Sequence, residues 1–399
     1  MTVLIASCLR ICVGWGLIAG LAGVLAAFSS AQASPLGAAG PTVNPIWIGG
    51  NFDLTGRFAY YGEMVADGVK LAFKETNDAG GVLGRKIELV LLDNASDKAK
   101  TAVVMKSLAA RGNVSAVLGC LTAANTAAAY VIAEQSRLPL ITPTAVSYRL
   151  TGDDGKVNSY AFMTCLADPS QANVMARFAI EEMGVKAAAI VFDNRVSMSR
   201  NMAAGFEKVF TQAGGTIVAK EQSNSGGEFS QEFLSQVRNA NPEVVFIPLH
   251  YRESGQAIRC LREGGIRVPI LGPDTWDSAR IVAYAGEEAL NDVYYFSLYA
   301  KSEKLPRIGR LEDDFARAYK RQADGYAAMG YEAALVLIAA IRKAGSADPD
   351  NIRTALEGIE VEGLLGPIRI DANDHSVTKA VVIKRMIEGQ PLAYRMYKP

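Results

Sequence analysis

From Ile46 to Gly272 the chain alternates short apolar runs with longer stretches whose apolar residues recur at helical spacing. That alternation is the strongest constraint on the fold. The runs Ile46–Asn51, Lys86–Asp93, Ala116–Gly119, Leu140–Thr142, Ala187–Asp193, Thr216–Glu221, Val244–Pro248 and Ile270–Gly272 read as strands. Between them, Gly62–Ala79, Ala99–Arg111, Ala124–Ser136, Gln171–Met183, Ser199–Ala213, Glu228–Asn239 and Ser254–Glu263 read as helices. Strands separated by helices pair in parallel and are covered on both faces, which makes the fold class α/β. The series runs twice, over about 46–163 and 185–272. Tyr294–Tyr299 reads as a further strand, followed by helices over Leu311–Arg321 and Tyr326–Ala344. Gly366–Asp371 and Thr378–Ile387 read as a closing β-hairpin. Two similar lobes, with late segments returning to each, are expected.

The charge balance, 41 basic residues against 41 acidic, includes no basic stripe, which argues against a nucleic-acid partner. Arg10, the apolar run Ile11–Phe28 and Ala31-Gln32-Ala33 before Ser34 follow the order of a secretory signal, so residues 1–33 are expected to be removed on export. A retained membrane anchor is the alternative. Cleavage would leave Cys120, Cys165 and Cys260. An oxidising compartment permits a Cys120–Cys165 disulfide but does not require one.

Catalytic constellations are thin. His250 and His375 stand far apart, with no H-E-x-x-H, no paired metal-ligand cysteines, no G-x-S-x-G elbow and no phosphate-binding glycine loop after a strand. No cofactor and no metal are implied. Gly80-Gly81 lies between a helix and a strand and reads as a left-handed helix cap. Asp93, Asp97, Asp153 and Asp154 are carboxylates in loops, where capping is the usual role. Asp274, after the strand Ile270–Gly272, stands where a doubly wound sheet presents groups to a small ligand. The turn near Leu121–Thr126 is a second such place, and together they point to a cleft gripping a zwitterion from both ends.

Four segments in order carry a family likeness: Asp53-Leu54-Thr55-Gly56 with Tyr61-Gly62; Asn77 through Lys86; Leu138 through Ala145; and Gly272 through Ser278. Over nearly the whole chain after the leader, the sequence resembles the periplasmic substrate-binding proteins of hydrophobic amino-acid ABC transporters, the leucine/isoleucine/valine-binding type. The resemblance implies a type I periplasmic binding protein: two Rossmann-like lobes with parallel sheets, joined by a hinge of three crossover segments. The expected division is 34–163 plus about 294–345 for the N-terminal lobe, and about 164–293 plus about 346–399 for the C-terminal lobe. It further implies a periplasmic monomer that takes a small-molecule ligand, hands it to permease subunits and does no chemistry on it.

Site residues follow by position. The backbone at Ala123 and Ala124, opening the helix Ala124–Ser136, would bind a carboxylate, with Thr122 or Asn125 as helpers. Relatives commonly carry serine where Ala123 stands. Thr144 matches a residue whose backbone meets the ligand ammonium; the next family hydroxyl falls on Val146, with Ser147 as a possible substitute. Asp274 matches the acid that accepts from the ammonium, a charge-assisted pair, although it could instead cap the helix over Ser278–Tyr284. Asp277 is the better candidate for that cap. Tyr61 and Tyr326 would line the side-chain pocket, or else be a surface aromatic and an ordinary packing residue. Trp276 would close the rim or pack in the second lobe. Met198 stands where tyrosine is usual and gives a softer wall. His250 also replaces a common tyrosine, and would meet a polar ligand group or bond to backbone. The expected ligand is an amino acid of branched-chain or other hydrophobic type. Urea, short amides or aromatic carboxylates are the alternative, as is a periplasmic sensor built on the same trap.

Overall fold

The structure, a computed structural model, describes residues 44–145, 157–222, 231–300 and 305–397. Strands β1 (Ile46–Phe52), β2 (Ile87–Asp93), β3 (Val114–Gly119), β4 (Leu140–Thr142) and β5 (Ala161–Met163) pair in parallel in the order β2-β1-β3-β4-β5. Helices α1 (Ala59–Asp78), α2 (Lys98–Ala110) and α3 (Ala123–Ser136) alternate with the first four strands. All six residues of β3 are buried, as a strand covered on both faces requires. The α1 helix ends where Gly80 and Gly81 take positive φ, the Gly81 N–H returning to Thr76 O at 2.8 Å. That is the left-handed cap expected from the glycine pair.

The chain then crosses to α4 (Asp168–Arg177), which runs on into one π-helical turn at Phe178–Glu182. The second series follows: β6 (Ala187–Phe192), α5 (Ser197–Gln212), β7 (Thr216–Gln222), α6 (Gln231–Ala240), β8 (Val244–Phe246), α7 (Tyr251–Glu263), β9 (Ile270–Gly272), α8 (Ile281–Ala285) and β10 (Val293–Ser297). It crosses back to α9 (Pro306–Tyr319), α10 (Gly325–Ala344) and α11 (Pro349–Leu356). A small antiparallel sheet follows, β11 (Glu360–Glu362), β12 (Pro367–Ile370) and β13 (Val377–Lys379). After a third crossing, β14 (Val381–Ile387) and β15 (Gln390–Tyr397) complete a seven-stranded sheet in the order β15-β14-β10-β9-β8-β6-β7.

Three details differ from the sequence expectation. Strand β10 is bonded between β9 and β14 in the larger sheet, so the return to the first half begins after it, not at about 294. Helix α11 packs on α10 and β3, and the small sheet is tied to the first half through the His375 Nδ1 contact with Ala161 O at 2.8 Å. The stretch beyond about 346 therefore stays with the first half as far as β13. The closing hairpin also divides: β12 pairs with β13, whereas β14 leaves for the larger sheet, because its residues are buried on both faces.

Helix α10 is long and apolar enough to pass for a membrane span, yet most of it is buried against α1. Two glycines permit the close approach. A Cβ at Gly68 would lie 2.0 Å from Ala327 O, and one at Gly330 would lie 2.1 Å from Val65 O.

Two buried ion pairs stand beside the crossings. Lys379 Nζ bonds Glu332 on α10, whose other oxygen accepts from Leu364 N–H at 2.8 Å. Lys384 Nζ on β14 reaches Asp277 Oδ1 at 2.6 Å, with side-chain exposures of 5% and 7%. Ser297 Oγ and Tyr295 OH complete the carboxylate's partners at 2.5 and 3.3 Å. Asp277 is thus half of an ion pair and not a helix cap. Removing one member of such a pair strands the other charge, so Lys384→Met is expected to lower the unfolding free energy by about 3–5 kcal/mol in a denaturant titration. A loss within the error of the titration would mean that the pair contributes nothing.

Candidate functional site

The carboxyl ends of the two large sheets face one cavity of about 430 Å³. Tyr61, Thr122, Ala123, Ala124, Thr144, Met198, His250, Asp274 and Tyr326 all line it. They come from seven segments of chain. Six lie beyond the carboxyl ends of strands, which parallel series bring to one edge, and Tyr326 comes from the head of α10. The first turns of α1, α2, α3, α5 and α10 contribute walls, so several helix amino termini converge on the space.

At the first-half end, Thr122 caps α3, its Oγ1 accepting from Asn125 N–H at 3.3 Å. Ala123 and Ala124 then present the first helical backbone to the cavity. Thr144 Oγ1 donates to Leu121 O at 2.9 Å, and Thr142 Oγ1 donates to Cys120 O at 2.8 Å. These bonds pin the segment after β4 to the segment before α3. The Thr144 hydroxyl hydrogen is committed, which leaves its oxygen and its backbone for a ligand. Val146 and Ser147 lie outside the described residues, as do Asp153 and Asp154. Asp97 caps α2, accepting from Lys100 N–H at 2.7 Å, and Asp93 ties the turn after β1 through Leu54 N–H and Thr55. Both are the structural carboxylates expected. Cys120 is a buried thiol, and burial pushes its titration well up.

At the opposite end, Asp274 is 6% exposed and follows β9 in a single 3₁₀ turn. Its Oδ2 accepts from Gln171 Nε2 at 2.9 Å, and no ion pair to it exists among the described residues. Burial pushes this carboxylate up to about 7, with Asp277 adding to the rise and the Gln171 bond opposing it. Helix α8 starts at Arg280 with no side-chain cap, so the capping alternative for Asp274 is not realised.

Between the two ends the wall is aromatic and apolar. Tyr61 is buried, its ring 4.3 Å from that of Tyr326, and its OH points at Thr275 O at 3.4 Å. Phe58 and His250 meet with ring centres 5.3 Å apart. The buried Nδ1 of His250 has no hydrogen-bond partner among the described residues, so that nitrogen makes no backbone bond there. Burial holds the imidazole down at about 4, so it is neutral at pH 7. Met198 stands in the first turn of α5. Trp276 does not line the cavity: it packs in the second half, with Nε1 bonded to Leu249 O and Ser254 Oγ at 3.1 and 2.7 Å.

The cleft is closed. Arg57 of the first half meets Glu253 of the second at 2.7 Å, and the Arg280 guanidinium lies 4.3 Å over the Tyr60 ring. Sequence reasoning passed over Phe58, Ser96, Lys98, Arg195, Ser197 and Thr275, which also line the space. Ser96–Lys98 and Arg195–Ser197 carry the signal that flagged Asp274, namely a position just past the carboxyl end of a strand. Arg195 is largely neutralised by Asp193, at 3.0 and 2.8 Å.

The raised value of Asp274 sets a pH dependence. With its folded titration near 7 and its ordinary value 3.8, the unfolded chain loses this proton first as pH rises. Stability is therefore lost between about pH 4 and pH 7 and stays level above, by about 4 kcal/mol. In paired denaturant titrations of the unliganded protein, Asp274→Asn is expected to gain on the wild type across that window. Parallel pH curves would show that Asp274 folds without a charge penalty.

The family described as periplasmic binding protein matches residues 45–390. A leucine-, isoleucine-, valine-, threonine- and alanine-binding protein of Pseudomonas aeruginosa is 27% identical over 318 residues, spanning 80% of this chain and 83% of its own. The Leu/Ile/Val-binding protein BraC3 of Rhizobium johnstonii is 28% identical over 325 residues, 81% and 86% of the two chains. The solved structure of the branched-chain amino acid transporter substrate-binding protein LivJ from Streptococcus pneumoniae, in complex with isoleucine, superposes with a TM-score of 0.81 at 29% identity. It covers 89% of this chain and 100% of that one.

Proposed function

Because the chain belongs to the periplasmic binding protein family, we propose that it captures a small amino acid, of branched-chain or other hydrophobic type, and releases it to the permease of an ABC importer. One observation carries the choice of ligand. A buried carboxylate without a cation, Asp274, faces across an apolar cavity toward the amino terminus of α3. An α-ammonium supplies the missing charge at one end, and free backbone N–H groups suit an α-carboxylate at the other.

In this reading the ammonium meets Asp274 and the Thr144 backbone, while the carboxylate meets the backbone of Ala123 and Ala124. Tyr61, Met198, His250 and Tyr326 enclose the side chain. Lobe closure follows from differential affinity, since contacts to both ends exist only when the halves meet. The Arg57–Glu253 pair and the Phe58–His250 contact add a small closing bias without ligand. The ligand leaves chemically unchanged. The protein works as an exported monomer in the periplasm after loss of residues 1–33.

Asp274→Ala is expected to weaken amino-acid binding by about 2–5 kcal/mol, the range for truncating one member of a buried charge pair. The measurement is calorimetric titration of protein unfolded and refolded to strip carried-over ligand, against the amino acids plus urea, acetamide and benzoate. Tight binding confined to amides or benzoate would overturn the zwitterion assignment and with it the role of Asp274.

A further inference from the structure

Directly behind the amino terminus of α3 lies a second acid, and the proposed ligand contacts leave it unused. Asp53 follows β1, at the point where strand order reverses between β1 and β3. It is 0% exposed, and neither of its oxygens has a hydrogen-bond partner among the described residues. Asn94, Ser96 and Asn125 turn polar groups toward it without closing a hydrogen bond. Two of these are committed elsewhere. Asn94 donates to Asn51 Oδ1 at 3.1 Å and accepts from Ser96 N–H at 2.9 Å. Ser96 Oγ donates to Thr55 O and accepts from Phe58 N–H, both at 3.1 Å. Of charged or titratable groups, Asp93 acts on Asp53 and Asp53 acts on the Cys120 thiol, and neither partner supplies a positive charge.

Asn125 is different. It stands in the first turn of α3, lines the cavity and is 4% exposed. Its Nδ2 is buried and without a partner, turned inward on the Asp53 side. An ionised carboxylate only accepts hydrogen bonds, whereas a protonated one also donates. Ionised Asp53 therefore draws the Asn125 nitrogen inward and leaves the amide oxygen for the cavity. Protonated Asp53 can instead donate its O–H to the amide oxygen, and a half-turn of the amide then brings its nitrogen to the cavity wall.

We propose that Asp53 is a positioning residue for the carboxylate end of the ligand, its protonation deciding whether Asn125 shows the cavity a donor or an acceptor. This rests on the amino-acid reading above. Ala123 has no side-chain donor, and the Asn125 amide nitrogen can supply one two residues on. Ligand carboxylate and Asp53 proton then bind together, because two anions at one helix terminus repel and an amide oxygen opposes a carboxylate. Burial raises Asp53 above the ordinary carboxylate range, with Asp93 adding to the rise and Asn94, Ser96 and Asn125 opposing it. Affinity is therefore present while Asp53 holds its proton and is lost as pH rises through its titration. Asp274 has the opposite requirement, since only its ionised form holds an ammonium.

The test is titration of L-leucine, or of the tightest-binding amino acid if leucine is not held, across the pH range in wild type and Asp53→Asn. The wild-type dissociation constant is expected to rise by up to about tenfold per pH unit above the Asp53 titration. Asp53→Asn offers Asn125 a donor at every pH, so its alkaline limb is expected to flatten. Should that variant not fold, calorimetry of the wild type on its alkaline limb, in phosphate and in Tris, is expected to show net proton uptake on binding. An unchanged alkaline limb in Asp53→Asn, or no proton uptake, overturns the role of Asp53 while leaving the amino-acid site standing. If no amino acid binds the wild type at any pH, the site assignment fails and this inference fails with it.

Discussion

The pairing of Lys384 with Asp277 is the interaction on which the rest of the architecture depends. Asp277 lies three residues beyond Asp274 and directly under the first turn of α10, where a Cβ on Gly325 would fall 2.3 Å from its Oδ2. The carboxylate therefore stands at the junction of a helix of the first half, a turn of the second and the strand that follows the third crossing. It can be buried there because Lys384, Ser297 and Tyr295 satisfy it. With Asp277 neutralised from within, Asp274 is left as a buried acid without a cation. Even with Asp277 paired, its charge adds to the rise of Asp274.

The cavity shows the same division between satisfied and unsatisfied groups. Around it, Thr122, Thr142, Thr144, Asp93 and Asp97 are bonded to the loops they belong to, and these bonds hold the carboxyl edge of the first sheet rigid. Asp53, Asn125, Asp274 and His250 are the incompletely satisfied ones. Buried polar groups without partners are uncommon in proteins, and two of them, Asn125 and His250, line the cavity, with Asp53 behind Asn125. The helix amino termini favour an anion at the α3 end, and the acid of the second half favours a cation. A zwitterion bridges the two, and its length sets how far the lobes can close.

Much of the fold was legible because parallel α/β series announce themselves locally. Every strand expected up to Gly272 is present within a few residues, as are the helices between them, since period and punctuation depend only on neighbours in sequence. Legibility failed after β10. Strand β14 reads locally as half of a hairpin with β12, and only its burial between β10 and β15 places it in the other sheet. Helix α11 and strand β15 were passed over, the first being short and the second almost wholly exposed, without an apolar face to mark it. Asp277 reads as a cap because its true partner is more than a hundred residues away.

By itself, the sequence determined the α/β class, the doubled series, and the place of each candidate residue just past a strand or at the head of a helix. These follow from short-range periodicity and from the family pattern spread along the chain. Only the tertiary structure decided that nine such residues share one cavity, that Asp274 lacks a cation while Asp277 has one, and that Asp53 lies buried behind α3 with Asn125 between it and the cavity. Partnership and burial are properties of groups brought together from distant parts of the chain. They set the charge state of an acid, which its place in the sequence does not reveal.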